Sequence, residues 1–147
     1  MNDNFISRYG VQPADVIVVP KSEFRVVEHY AVYAGVNIYE PRQDLFLENK
    51  INYGVRIIDY NGFVAENPEF LRIRRFVGNE YERNLAMQRA WSLVGQKYNL
   101  LTFNCEHFAN YVQNYEVKSN QVRAGLVLTG LALLLAAGTS SKQRRSY

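Results

Sequence analysis

Two residues in this chain have the types that support nucleophilic chemistry near neutral pH. Cys105 is the only cysteine, and it opens a helical pattern. Cys105, Phe108, Ala109 and Val112 fall at i, i+3, i+4 and i+7, one face of a helix. That face is apolar, so the sulfur points toward the packed side. A thiol at a helix N-terminus lies at the positive end of the macrodipole, which lowers its pKa and favours thiolate. A thiolate nucleophile works with an imidazole, and the imidazole needs a third group to fix its tautomer. The chain has two histidines. His107 lies two residues from Cys105, about 200° around the helix, so it faces away from the sulfur. A hydrogen bond on the helix's other side is its expected role. His29 sits mid-strand in an apolar, aromatic segment. Each residue taken alone also fits a structural role, the cysteine as a small core hydrophobe and the histidine as part of a packed strand.

The elements that must position them follow from periodicity. Residues 1–14 read as a polar lead-in. Residues 15–19 form a short buried strand closed by Pro20. Residues 28–35 form a second strand, broken at Gly35. Residues 45–49 and 55–59 form a third and a fourth, with a turn at Tyr53 and Gly54. Residues 70–77 alternate apolar and basic, the period of a half-exposed strand, so Arg72, Arg74 and Arg75 are expected on a solvated face. Asn79 with Glu82 three residues on has the spacing of a capping box. The helix it opens carries an apolar stripe of Leu85, Ala86, Ala90, Leu93 and Val94 and ends at Gly95. Residues 98–103 connect it to the helix that begins at Cys105. Strands followed by helices predict an α+β fold, with helices packed on an antiparallel sheet.

Composition narrows the class. At 147 residues the chain is expected to carry one main core. Hydrophobic residues at 48% and charged residues at 21% point to a globular domain rather than disorder. One cysteine excludes an internal disulfide and a multi-cysteine zinc site, and a free thiol fits a reducing compartment. No metal or cofactor is expected. A net charge of +3 without nucleic-acid motifs gives no reason to expect a nucleic-acid partner. The first residues lack an apolar run of signal-peptide length, so a cytoplasmic protein is expected.

The tail differs in kind. Residues 124–138 carry no charge and are flanked by Arg123 and by Lys142, Arg144 and Arg145. As a helix at about 1.5 Å per residue they would reach roughly 22 Å, short of the ~30 Å hydrocarbon core. Three readings fit this length: a marginal membrane span, a helix lying in the interface, and a buried or partner-bound helix. Membrane association through this segment is expected, with the basic ends favouring anionic headgroups on the cytoplasmic side. Residues 1–118 are therefore read as the catalytic domain, and 119–147 as a hydrophobic segment with a basic tail.

Two stretches carry a family resemblance. His29-Tyr30-Ala31-Val32-Tyr33-Ala34-Gly35 resembles a His-aromatic-Ala/Gly-Ile-Tyr-x-Gly strand. Asn104-Cys105-Glu106-His107-Phe108 matches the Asn-Cys-Glu-His-Phe signature. Both belong to the lecithin:retinol acyltransferase-like proteins, which include small mammalian phospholipase/acyltransferases and many bacterial relatives. The resemblance covers roughly residues 15–115, and the apolar tail is similar to the C-terminal segment of the small acyltransferases. It implies a circularly permuted papain-like fold, histidine before cysteine, where NlpC-type peptidases have cysteine first. It implies Cys105 as nucleophile and His29 as general base and later acid. In the vertebrate enzymes a second histidine about a dozen residues on orients the first. Here that spacing reaches Glu40 and Pro41, so the pattern departs. The counterpart is sought on strand 45–49. Asn49 is preferred, because a charged Glu48 on a buried face would cost several kcal/mol unless paired. Glu48 is the competitor, and only one of these neighbours is expected to face inward. Backbone N–H groups at the helix start, including that of Cys105, would form an oxyanion hole. Tyr30 and Asn104 receive no firm role.

The resemblance implies a thiol-dependent phospholipase A/acyltransferase that acts on glycerophospholipid or other acyl esters through an acyl-cysteine. An NlpC-type cysteine peptidase or amidase and a non-catalytic membrane-tethered adaptor are the alternatives.

Overall fold

The computed structural model describes residues 5–21, 27–37, 39, 43–116, 118–129 and 132. Strands β1 (Val16–Pro20), β2 (Glu28–Val36), β3 (Asp44–Lys50), β4 (Gly54–Asp59) and β5 (Arg72–Arg74) form one sheet in the order β4-β3-β2-β1-β5. Every pairing is antiparallel. Helices α1 (Phe5–Tyr9), α2 (Tyr60–Glu66), α3 (Glu80–Ser92) and α4 (Cys105–Asn114) cover it. The fold is α+β, as the run of strands and then helices implies.

Both faces of the sheet are buried. On one, Val16, Val18, Val32, Leu47 and Val55 pack with Ala86, Ala90, Phe108, Ala109 and Val112 of α3 and α4. On the other, Ile17, Val19, Ala31, Tyr33 and Phe46 pack with Phe5 of α1 and Phe63 of α2. Helices α1 and α2 fall in stretches where the sequence shows no clear apolar period. They are five and seven residues long, too short for one. Their second apolar layer explains why β1 reads as an unbroken run of Val and Ile rather than an alternation.

The capping box of α3 forms as its spacing implies, and Ala86 and Ala90 of its apolar stripe are buried. Asn79 caps α3, accepting from the Glu82 N–H while Glu82 returns a bond to the Asn79 N–H. The basic stretch departs from expectation. Pairing of β5 is confined to Arg72–Arg74, and Arg74 does not face solvent. Its guanidinium donates to Gln113 at 2.7 Å and Asn110 at 2.7 Å, which pins α4 to the sheet edge.

The link from α3 to α4 is held against β4. Gly95 N–H donates to Val55 O at 2.8 Å and Val55 N–H to Gln96 O at 2.8 Å. Gly54 lies where this approach is closest, with φ +73°, and a Cβ there would stand 2.3 Å from Gln96 O. Only glycine satisfies both demands.

Beyond α4, residues 120–129 and Ala132 are helical. The rest of the apolar stretch expected over 124–138 lies outside the described residues. Among the described residues no helix is long and apolar enough to cross a membrane.

Candidate active site

Asn104 caps α4. Its side chain accepts from the His107 N–H at 3.0 Å, and His107 Nδ1 accepts from the Asn104 N–H at 3.2 Å. His107 thus folds back on its own first turn. Of the four N–H groups a helix start leaves without intrahelical partners, this reciprocal cap takes those of Asn104 and His107. Those of Cys105 and Glu106 are outside it. Cys105 is the first residue of the helix, 4% exposed, and its thiol approaches Glu28 O at 3.8 Å.

His29 lies on β2 and is buried. Its Nε2 meets Glu48 Oε2 at 2.5 Å. Its Nδ1 has no hydrogen bond of ordinary geometry within the protein, and the thiol of Cys105 is the other group that interacts with the ring. Burial by itself would lower the imidazole's pKa. Cys105 and the Glu48 carboxylate more than reverse this and raise it to about 9. The thiol shows the mirror image. Burial pushes it up, but His29 and the Tyr30 backbone N–H bring it below the ordinary thiol value. Both directions favour a thiolate beside an imidazolium.

The expectation that Asn49 would hold the imidazole is not what the geometry shows. Glu48 holds it, and Asn49 turns its amide to Phe103 O at 2.7 Å. The premise that one of the two must face solvent also fails, because both are fully buried. The sheet is covered on both sides, so successive residues of β3 both point into protein. The cost of burying Glu48 is offset by two cations. His29 is one. Arg56, directly opposite on β4, is the other, donating to Oε1 through Nε at 2.8 Å and an Nη at 2.5 Å. Burial pushes the Glu48 pKa up, and these two partners hold it below the usual carboxylate range. Arg56 went unnoticed in the sequence. Its signal is a single cation between Val55 and Ile57 in the strand over 55–59. Asn49 positions the other half of the site, since Phe103 lies two residues before Cys105.

Cys105 borders a cavity of about 400 Å³. Val27, Leu100, Leu101, Val122 and Leu126 make its lining mostly apolar, while Lys21, Asn104 and Gln121 supply polar edges. Tyr98 lies on the same wall. Its pKa is raised by burial and by the charge of Cys105. Tyr30 sits nearby with its hydroxyl donating to Glu28 at 2.6 Å, so its side chain braces β2. Among the described residues no group of three or more His, Cys, Asp or Glu is placed to hold a metal.

The family model for lecithin retinol acyltransferase matches residues 10–118, a span that contains β1 through α4 and both His29 and Cys105. The chain belongs to the lecithin retinol acyltransferase family. Human phospholipase A and acyltransferase 2 is 39% identical over 59 residues, 39% of this chain and 36% of that protein. The match spans about a third of the human protein's length. No solved structure matches the chain.

Proposed function

We propose that this family member is a thiol-dependent phospholipase A/acyltransferase acting on glycerophospholipid esters. The observation that carries the reading is a buried thiol that opens a helix at the edge of an apolar cavity, in the same site as a buried imidazole held by a carboxylate. Such a cavity suits an acyl chain.

In this mechanism the Cys105 thiolate attacks the acyl carbonyl and forms a C–S bond. The N–H groups of Cys105 and Glu106, free of the capping box, stabilise the oxyanion at the positive end of α4. Collapse breaks the ester C–O bond, and the His29 imidazolium gives its proton to the departing lysophospholipid oxygen. Water or an amine then attacks the thioester. His29 takes the attacker's proton, and the thiolate is released. Glu48 stays ionised throughout and orients the ring. Orientation by Glu48 rather than a second histidine means that the departure at residues 40 and 41 leaves no vacancy in the machinery. The order of histidine before cysteine supports a permuted NlpC-like arrangement.

Contact with a bilayer fits the same reading. Leu100, Leu101, Leu126, Val127 and Leu128 are all more than half exposed, and three of them line or adjoin the cavity wall. An exposed apolar rim of this kind suits a lipid surface.

The test is turnover of a fluorogenic phospholipid by the wild type and by Cys105→Ala, with intact mass to detect an acyl adduct on Cys105. Turnover and adduct in the wild type alone support the proposal. Release of a labelled dipeptide without lipid turnover would instead favour the peptidase. Absence of any turnover would favour the adaptor. Liposome flotation with and without residues 123–147 tests the membrane contact, and equal flotation of both would exclude the tail as its source.

A further inference from the structure

Glu106 is a buried carboxylate that the thiol chemistry does not use. It is 4% exposed and immediately follows the nucleophile. Its Oε2 accepts from Ser119 Oγ at 2.5 Å and from the Gln121 N–H at 3.1 Å. Ser119 in turn caps the helix over 120–129, its Oγ accepting from the Val122 N–H at 3.2 Å. The carboxylate therefore stands at the positive end of that helix. Gln121 continues the attachment. Its side chain accepts from Glu28 N–H at 3.2 Å and donates to Glu28 O at 3.4 Å. That carbonyl is the one the Cys105 thiol approaches.

The helix held in this way supplies Val122, Gly125, Leu126 and Thr129 to the wall of the cavity at Cys105. Yet no residue from 120 to 129 is buried. An adjoining flank, which shares Gln121 and Gly125 with that wall, borders a second recess lined by Tyr30, Arg72 and Glu106 among others. The wall is thus fastened by polar contacts at one end rather than by a packed apolar face. A helix held so can leave without opening the core.

We propose that Glu106 and Gln121 are positioning residues forming a latch, which makes helix 120–129 a detachable wall of the acyl cavity and so governs which acyl chains reach Cys105. The part concerning acyl chains rests on the acyl-transfer reading. The latch itself does not. When the thiol ionises and leaves Glu28 O, Gln121 still satisfies that carbonyl, so the latch persists through the reaction.

Because the chain has one cysteine, alkylation by a bulky maleimide reports Cys105 alone. The full chain is compared with Gln121→Ala, Glu106→Ala and Glu106→Gln. Gln121→Ala and Glu106→Ala are expected to raise the alkylation rate about fivefold or more, the scale of one or two lost hydrogen bonds, without moving its pH dependence. Glu106→Gln should stay near the wild-type rate, since one amide oxygen still accepts from both donors. In the same two Ala variants the ratio of kcat/KM for long over short acyl esters should fall by a similar factor. An unaltered alkylation rate and chain-length ratio in Gln121→Ala would overturn the latch even where esters are turned over. If Glu106→Ala fails to fold, Gln121→Ala, with its partly buried side chain at the surface of the helix, decides alone. An ordinary-thiol pH dependence without ester turnover would overturn the acyl-transfer reading, and the alkylation rates would still decide the latch.

Discussion

The surroundings of the two histidines make the sharpest contrast in the molecule. His29 and His107 are almost equally buried, at 4% and 5% exposure. Their basicity moves in opposite directions. Burial lowers the pKa of His107, and the neighbouring charge of Glu106 does not reverse it. Burial works against the His29 cation too, yet Cys105 and Glu48 raise its pKa to about 9. Burial therefore does not decide the charge of an imidazole here. The partner does. His107 spends Nδ1 accepting a backbone N–H, a task that requires the neutral ring. His29 meets a carboxylate with one nitrogen and feels the charge of the nearby thiol, a setting that rewards the cation.

Replacing each histidine by glutamine tests the contrast most strongly. His29→Gln should lower kcat/KM for ester turnover by about 10²–10⁴-fold, the usual worth of a general acid–base group. His107→Gln should change it by only a few-fold, because glutamine is a natural third residue of a capping box. Comparable losses in both would end the distinction.

Next in size is the pH profile. In the proposed mechanism the productive form has Cys105 ionised and His29 protonated. Activity should therefore fall at high pH as His29 loses its proton near pH 9, and at low pH as the thiolate is protonated. Glu48→Gln removes the anion that holds the proton, so the alkaline limb should move to lower pH. A limb that stays near 9 would remove Glu48 from the orienting role.

The adjacent pair on β3 sharpens this further. Glu48→Leu leaves His29 and Arg56 without their shared anion and should cost about 3–5 kcal/mol in denaturant unfolding. Asn49→Ala loses one buried bond to Phe103 O and should cost about 1–3 kcal/mol. It should leave the alkaline limb in place, because Asn49 anchors the cysteine's approach and not the imidazole.

The smallest effect belongs to the cap of α4. Asn104→Ala should destabilise by about 1 kcal/mol and raise the thiol's apparent pKa in an alkylation titration, as the first turn loosens around the helix-end charge. A stability equal to wild type would mean the cap carries no energy.

Local order was legible in the residues. The apolar, aromatic strand that becomes β2, the apolar face of α4 and the capping box of α3 are written within single turns or strands, where local residue preferences and the 3.6-residue period act directly. The cysteine at a helix start and the histidine on a strand were legible for the same reason. Arg56, the choice of Glu48 over Asn49 and the reach of Gln121 to Glu28 were not. Each depends on which surface covers which. A period of two says that Glu48 and Asn49 point to opposite faces, but not that α1 and α2 close one face while α3 and α4 close the other. Once both faces are sealed, a carboxylate in β3 must find cations, and cross-strand register with Arg56 and proximity to His29 provide them. Such pairings join residues far apart in the chain, and only the folded arrangement brings their charges within a few ångströms.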